Sequence, residues 1–444
     1  MDIPSDAAAA RPVASATRPG GSAGPWVAAL AVVGLGLVIA PHVYHHYDVV
    51  DCFLAWSRAS EGTRPWVIYL AEFPDDCDYP PVVPYLLTVV DAVRGAAGAP
   101  ETGALAITLL KLPSLLAIAA LVPLCLRGLR RPFGERAAWI AALLGAASPP
   151  LFVNAAAWGQ FDALLALMLA AALVALLNQR PAWAGAALGA ALGTKLVAVL
   201  ALPAAAVWIW RRLGPRALAA SAGAGALTLA LLFAPYVAAG AGPRMLRAYS
   251  EAVGYYPFRT AEAYNGWYLL DRFDIAVRGL PARDARRDTR PALGPLTQRD
   301  VGLVALAAGM LFLMAALWRH PTDYGLVLAA AMSFFAFFML PTQVHQRYLV
   351  PAAALLAVGA TQSRRGLLLL AGLTVTATLN QGLDLTRAVL DHAALTNPPG
   401  GLAPPVYRGA IRSAASLVAV VNVALFVWSL AVYRREMAAA PPSR

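Results

Sequence analysis

The chain has 444 residues, of which 59% are hydrophobic and only 13% are charged, and its mean hydropathy is +0.61. Soluble domains carry about 25% charged residues. The composition therefore excludes an ordinary soluble enzyme, a disordered chain and a disulfide scaffold, and it indicates a polytopic membrane protein. The net charge of +11 rests on 35 lysines and arginines, of which only Lys111 and Lys195 are lysine. Because the arginines lie between apolar segments, we interpret them as topology signals and predict no nucleic-acid partner.

The first apolar run that is long enough to span a bilayer, which takes about 20 residues, covers residues 26–44. It follows a tail, residues 1–24, whose Ala, Pro, Gly and Ser content predicts disorder. We interpret the run as an uncleaved span, since it lacks the flanking basic cluster and the cleavage site of a signal peptide. A polar stretch covers residues 45–103, and residues 104–126 form the second span. The basic residues that follow this span predict a cytoplasmic end; they are Arg127, Arg130, Arg131 and Arg136.

Residues 182–210 are the least regular part of the hydropathy pattern. A single helix over this stretch would be about 43 Å long at ~1.5 Å per residue, too long for one perpendicular span and short for two. Arginines on both sides fit the cytoplasmic face. We therefore predict two short helices with a break between Thr194 and Pro203, which puts Lys195 near the outer end of a hairpin.

The other spans are predicted at 137–153, 162–178, 217–239, 301–318, 324–340, 349–361, 366–380 and 413–433. The chain is then an all-α polytopic membrane protein of about twelve transmembrane helices with both termini inside. We predict one transmembrane domain over residues 25–436 and a cytoplasmic tail over residues 437–444. Its outer loops would be 45–103, 240–300 and 381–412. The arginines of the second loop are tolerated there because long loops translocate regardless of charge.

Four polar clusters collect on the predicted outer face. A charged group at membrane depth costs roughly 2.5–3.5 kcal/mol on insertion scales and usually marks function. One such cluster is explained by a structural ion pair, whereas four on one face indicate a site. The clusters cover residues 47–81, 158–162, 264–267 and 345–348.

Asp78 is the strongest candidate for chemistry in the first cluster. Pro80 and Pro81 fix the backbone after it, because a proline locks φ and restricts the preceding residue. A carboxylate held rigidly beside the membrane can act as a general base. The alternative is a helix cap or a solvated loop carboxylate.

His345 and Arg347 form a pair suited to a phosphate, since Arg offers a bidentate fork and a protonated His adds charge and a donor. The alternative is an interfacial anchor whose long side chain reaches the headgroups. Lys195 has the same two interpretations. For Lys111, which lies inside the second span, we favour the anchor.

Residues 158–162 join an aromatic side chain to two polar ones. Trp158 fits an interfacial aromatic belt, and Asp162 is placed to cap the next helix at its start. Gln160 has no comparable structural explanation.

In chain order these clusters resemble the motifs of the GT-C glycosyltransferases. The resemblance is closest to the dolichyl-phosphate-glucose glucosyltransferases of N-glycan assembly and their bacterial relatives. The matching segments are Asp48 with Trp56, Asp78-Tyr79-Pro80-Pro81 with Tyr85, Trp158-Gly159-Gln160-Phe161-Asp162, Thr194-Lys195 with Pro203, Tyr264-Asn265-Gly266-Trp267 and Val344-His345-Gln346-Arg347. One departure is Gln346, where the family has an acidic residue.

The resemblance implies a GT-C bundle with a large first outer loop. By it, Asp78 is the base for an inverting transfer of a hexose, glucose or mannose, from a polyprenyl-phosphate-linked donor. The phosphate would be bound by Lys195, His345 and Arg347. The expected substrate-binding residues are Asp48, Tyr79, Trp158, Gln160, Asp162, Asn265 and Trp267. The acceptor would be a glycan, a lipid-linked sugar or a protein.

The residues of the candidate site do not require a metal, and we predict no cofactor. The resemblance implies a lipid tail lying between spans and a site on the periplasmic face of a bacterial inner membrane. An oxidising periplasm makes a disulfide between Cys52 and Cys77 possible, and it would brace the Asp78 turn. A transporter or flippase of lipid-linked sugars is the alternative. Such proteins place charged residues at the midplane, often between inverted repeats.

Overall fold

The computed structural model describes residues 23–43, 46–73, 76–250, 256–396 and 404–438. Its first half contains α1 (Ala23–Ile39), α2 (Ala55–Ala59), α3 (Val67–Leu70), α4 (Val82–Ala96), α5 (Ala104–Gly128), α6 (Arg130–Phe133), α7 (Glu135–Ala146), α8 (Pro149–Phe152), α9 (Asp162–Leu177), α10 (Pro181–Leu192), α11 (Leu202–Leu213) and α12 (Pro215–Ala238). The second half contains α13 (Gly242–Ser250), α14 (Gly266–Ala276), α15 (Ala282–Ala285), α16 (Gln298–Arg319), α17 (Asp323–Met339), α18 (Val350–Val358), α19 (Arg364–Thr396) and α20 (Pro404–Ala438). The described strands are β1 (Thr260–Ala261), β2 (Pro291–Leu293), β3 (Leu296–Thr297) and β4 (Val344–His345).

The described residues include eight helices that are long and apolar enough to cross a membrane, by length and composition. Four shorter apolar helices, of 10–17 residues, accompany them: Asp162–Leu177, Pro181–Leu192, Asp323–Met339 and Gln346–Val358. Each span predicted from the sequence coincides with one of these segments. The predicted fold class, an all-α polytopic bundle, is confirmed. The predicted tails, residues 1–24 and 437–444, lie almost wholly outside the described residues.

The predicted hairpin at 182–210 is present. Helix α10 ends at Leu192, a 3-10 turn covers Leu196–Ala201, and α11 follows. Lys195 stands in the break with an extended backbone, φ −150°. Helix α10 packs closely on α12, because a Cβ added at Gly185 would collide with the backbone carbonyl of Ser221; small residues allow this approach between membrane helices.

The first predicted outer loop is folded. A π-helical turn covers Asp48–Leu54, and α2, α3 and α4 follow. Its apolar side chains, among them Phe53, Trp56 and Tyr79, join Phe161 from the segment before α9 in a second core cluster, separate from the main one. Cys77 and Tyr79, on either side of Asp78, belong to this cluster, so the Asp78 segment is anchored by packing.

The second predicted outer loop contains a buried arginine that is paired within the protein. Arg259 is buried and pairs with Asp271 at 3.1 Å and with Asp274 at 2.7 Å. Its Nε donates to Oε1 of Gln298 at 2.5 Å, at the start of α16. A buried arginine with these partners braces the loop against α14 and α16, so its charge is not a topology signal.

Two short pairings join this loop to the rest of the chain. Strand β1 runs parallel to β4, with Thr260 opposite Val344 and Ala261 opposite His345. Strands β2 and β3 form a hairpin. The β1–β4 pairing fixes the position of the segment that starts at His345.

Candidate functional site

The Asp78 turn is held from several sides. The hydroxyl of Tyr69 donates to the carbonyl of Tyr79 at 2.5 Å, and that of Tyr236 donates to the carbonyl of Pro81 at 3.0 Å. The amide of Val82 donates to the carbonyl of Gly193 at 2.9 Å, which ties α4 to the break before α11. The two prolines predicted a rigid turn from the sequence. The hydrogen bonds from Tyr69 and Tyr236, which hold the turn in place, come from other segments and are seen only in the structure.

The side chain of Asp78 is exposed, and it faces a cavity with protein walls. Desolvation by the protein around it raises the pKa of Asp78; the Arg347 guanidinium opposes the rise, and the nearby Asp48 carboxylate adds to it. A carboxylate that is reachable and more basic than usual fits a general base.

Gln160 connects the predicted substrate-binding residues. It is fully buried. Its Nε2 donates to Oδ2 of Asp48 at 2.6 Å, and its Oε1 accepts from the Tyr79 hydroxyl at 2.6 Å. Trp158 Nε1 also donates to Asp48, at 3.1 Å. The structure therefore brings residues from two sequence clusters, 47–81 and 158–162, into one hydrogen-bonded group.

Asp48 is ionised in this group. Burial opposes its charge, but a hydrogen bond and the charge of His46, followed by Arg347, hold the pKa of Asp48 below its usual range. Its Oδ2 lies 3.9 Å from the Arg347 guanidinium. The carboxylate thus orients cationic and donor groups around it.

Lys195 forms a buried ion pair with Asp162, with Nζ and Oδ1 2.8 Å apart. Asp162 also accepts from Asn154 Nδ2 at 2.9 Å. Asp162 is the first residue of α9, and its carboxylate binds Lys195 instead of capping the helix, so the capping alternative is wrong. Burial lowers the pKa of Lys195 to about 8, while Asp162 opposes the shift.

Arg347 lies at the centre of the charged groups. Its guanidinium is 5.5 Å from the centroid of the Trp158 ring. Within the part of the chain that is described, its Nε is buried and lacks a hydrogen-bond partner. Burial and then the charge of Arg347 keep the pKa of His345 well below its usual range. His345 therefore offers a neutral hydrogen bond and not the positive charge expected from the sequence.

Two residues of this site were missed by the sequence analysis. Asp384 accepts from Gln346 Nε2 at 2.5 Å and from Arg387 at 2.5 Å. Gln346, which departs from the family pattern, therefore still contacts a carboxylate. The helical spacing of Asn380, Asp384 and Arg387 along α19 was the available signal, but the predicted span ended at residue 380.

Asn265 and Trp267 hold the start of α14 in place. Asn265 Oδ1 caps α14 by accepting from the amides of Trp267 and Tyr268, at 3.0 and 3.2 Å. Trp267 Nε1 donates to the carbonyl of Leu340 at 2.9 Å. Neither residue lines the two cavities described below, and their role in substrate binding stays a prediction.

Cys52 and Cys77 are both buried in the second core cluster. Their sulfur atoms are not bonded to each other in the structure. Burial raises the pKa of the Cys77 thiol well above its usual range. The disulfide stays a prediction.

Two cavities meet at Asp78. The larger has a volume of about 640 Å³ and an apolar wall that includes Val199, Leu200 and Leu303. The smaller has a volume of about 190 Å³. Asp78, His345 and Arg347 line both. The basic side chains of the larger cavity are Lys195, Arg244, Arg247, Arg299 and Arg347.

This arrangement suits a phosphate in the larger cavity, because cations converge there beside an apolar wall. Within the described ranges, no group of three or more His, Cys, Asp or Glu side chains is placed to hold a metal ion. The expectation that no metal takes part stays a prediction.

The sequence pattern of glycosyltransferase family 87 matches residues 79–341. Among curated proteins, none matches the chain in sequence. Among solved structures, ArnT from Cupriavidus metallidurans bound to undecaprenyl phosphate is similar, with a TM-score of 0.51 and 17% identity over 93% of this chain and 77% of that chain. This similarity supports the GT-C fold.

Two further solved structures have lower TM-scores. ArnT from the same organism in the apo state gives a TM-score of 0.49 and 16% identity over 94% of this chain and 78% of that chain. The apo oligosaccharyltransferase of Archaeoglobus fulgidus gives 0.39 and 15% over 92% of this chain and 56% of that chain.

Proposed function

The chain belongs to glycosyltransferase family 87, and on that premise we propose that it transfers a hexose, glucose or mannose, from a polyprenyl-phosphate donor to an acceptor hydroxyl with inversion. The site would face the periplasm of a bacterial inner membrane. Its sequence motifs are the basis for proposing a likeness to the dolichyl-phosphate-glucose glucosyltransferases. ArnT, whose fold is similar, was solved with undecaprenyl phosphate, and this supports the same class of lipid carrier.

The observation that carries the proposal is the position of Asp78 beside a convergent set of cations. Asp78 shares the larger cavity with Lys195 and Arg347. A base and a phosphate site must lie on either side of the anomeric carbon in a single displacement. A transporter would not need a basic carboxylate at that point.

The proposed transfer is a single displacement at the anomeric carbon. The acceptor oxygen attacks the anomeric carbon, and its proton passes to the Asp78 carboxylate. The bond between the anomeric carbon and the phosphate oxygen breaks, and its electron pair leaves with the lipid phosphate. Lys195 and Arg347 stabilise the extra negative charge, and His345 supplies a hydrogen bond.

The larger cavity fits the donor in size and polarity. Its volume of about 640 Å³ is within the range of ligand pockets, roughly 300–1,000 Å³. Val199 and Leu303 are 45% and 42% exposed, so the apolar wall continues to the lipid-facing surface. The prenyl chain would leave along this wall.

The test is transfer of labelled sugar by the purified protein in detergent, from a panel of undecaprenyl-phosphate sugars. Asp78→Asn should reduce turnover roughly 10²–10⁴-fold, the usual cost of losing a general base. Binding of undecaprenyl phosphate should persist, because the cations remain.

Asp51→Asn is the matched control. Asp51 is an exposed residue of the same loop and lines neither cavity, so this variant should turn over normally. Near-normal transfer by Asp78→Asn would remove the base from the proposal. Movement of lipid-linked sugar across vesicles without any transfer would favour the flippase.

A further inference from the structure

We propose that the smaller cavity binds a sugar ring of a neutral glycan acceptor, and that Glu262, Asp384 and Arg387 hold its hydroxyl groups. This inference rests on the proposed function, since an acceptor site needs a donor reaction. It adds the chemical class of the acceptor and the residues that recognise it. Asp384 and Arg387 lie beyond residues 79–341, the part matched by the family pattern.

The smaller cavity gives a second access to the proposed base. It is lined by Asp78 but not by Lys195, whereas the larger cavity is lined by both. A hydroxyl in the smaller cavity therefore reaches Asp78 from a space that Lys195 does not line. Separate spaces for acceptor and donor suit an inverting displacement, in which the attacking and leaving oxygens lie on opposite sides of the anomeric carbon.

The two cavities differ in charge. The acidic side chains around the smaller one are Asp48, Asp76, Asp78, Glu262 and Asp384, while its arginines are Arg347 and Arg387. A phosphate or a carboxylate on the acceptor would meet like charges there. Hydroxyl groups donate to carboxylates, so a neutral polyol fits.

The size of the cavity fits one ring. Its volume of about 190 Å³ would hold about six waters at ~30 Å³ each. Tyr47, 48% exposed, and the half-buried Tyr256 line it. Aromatic faces of this kind pack against the C–H face of a sugar, while the ring edge stays polar.

Glu262 is held at the cavity by its backbone. Its φ is +62°, in the left-handed region, and it bridges to His345 beside the β1–β4 pairing. Non-glycine residues adopt such backbone only where the surroundings enforce it, and they concentrate at ligand sites. The backbone of Glu262 therefore has a fixed position next to His345, and its side chain lines the smaller cavity.

Asp384 and Arg387 form the opposite wall. Asp384 is 1% exposed and its Oδ1 accepts from Arg387 at 2.5 Å. Its Oδ2 accepts from Gln346, the residue before Arg347. The pair offers a sugar hydroxyl an acceptor and a donor side by side.

The test uses undecaprenyl-phosphate mannose and undecaprenyl-phosphate glucose as donors, with short alkyl glycosides as acceptor probes. The wild-type protein should transfer to hexyl α-D-mannopyranoside or hexyl β-D-glucopyranoside in preference to hexyl β-D-glucuronide or a serine-containing peptide. Glu262→Gln and Asp384→Asn should each raise the acceptor KM by about tenfold, the loss expected for a hydrogen bond to a charged group. The donor KM should not change.

Asp391→Asn is the matched control, because Asp391 is on the same helix, pairs with Arg408 and lines neither cavity. An unchanged donor KM also shows that a variant is folded. If Asp384→Asn fails to fold, Glu262→Gln decides alone. Transfer only to the glucuronide or the peptide, or an unchanged acceptor KM in Glu262→Gln, would overturn this inference and leave the proposed function standing. Absence of any sugar release from either donor would instead count against the proposed function.

Discussion

In this site the protein surroundings of two ionisable residues, Asp78 and Lys195, shift their pKa values. Asp78 is exposed to a protein-walled cavity and Lys195 is buried, and desolvation by the surrounding protein disfavours the charged form of each. Desolvation therefore makes the carboxylate more basic and the ammonium more acidic. The same cause, desolvation, therefore moves the pKa of the proposed base and the pKa of the proposed phosphate-binding cation towards neutrality.

The pH dependence of kcat/KM for the donor tests this assignment, because that ratio reports the free enzyme. Activity should rise with pH as Asp78 ionises through its raised pKa. It should fall above about pH 8, where Lys195 loses its proton. A bell-shaped profile is expected.

Lys195→Arg is the matched variant, since an arginine stays charged throughout. Its profile should keep the acidic limb and lose the fall near pH 8. An alkaline limb that stays in place in Lys195→Arg would show that another group titrates there.

The side chain of Lys111 connects α5 to the ends of two other helical segments. It is fully buried in α5, and its Nζ donates to the carbonyls of Ala40 at 3.0 Å and Ala156 at 2.8 Å. It also donates to the carbonyls of Val43 and Ala157. These carbonyls end the first span and the π-helical turn Val153–Trp158, where helix termini leave acceptors without partners. The membrane-anchor interpretation of Lys111 is therefore wrong; the side chain is directed into the protein.

Lys111→Met should lower the free energy of unfolding by about 3 kcal/mol, because it leaves buried carbonyls without a donor. Turnover should fall as well, since the turn that precedes Trp158 and Gln160 loses its support. Leu116→Met on the same helix is the control, because Leu116 is 53% exposed. Thermal unfolding of the purified proteins checks the first effect, and equal melting temperatures for the two variants would contradict it.

At the scale of the whole molecule, the arginine pattern predicts the orientation in the membrane. Glu101 lies in the first predicted outer loop, and Arg136 lies in the first predicted cytoplasmic cluster. Both are exposed in the structure, and the native cysteines are buried. A cysteine introduced at either position is therefore the reactive thiol of its variant.

Glu101→Cys should react with a membrane-impermeant maleimide in spheroplasts, and Arg136→Cys should react only after lysis. The exposed ion pair of Glu101 with Arg58 contributes little to stability, so both variants should fold. Labelling of Arg136→Cys before lysis would reverse the topology and place Asp78 in the cytoplasm.

The sequence by itself determined the membrane class and the positions of the apolar helices, and it supplied the candidate residues of the site. Hydropathy is a local property, so the twelve segments and the break before Lys195 were readable along the chain. The motifs around Asp78, Gln160 and Arg347 were recognisable for the same reason, since each is a short run with its own spacing.

Only the tertiary structure decided which of these residues meet. Asn265 carries the same kind of motif signal as Gln160, yet its amide caps α14 while that of Gln160 binds Asp48. Asp384 gave no motif signal, yet it contacts Gln346 from a helix 38 residues further on. A buried side chain takes the partners that packing brings to it, and those partners come from segments whose proximity no local pattern encodes.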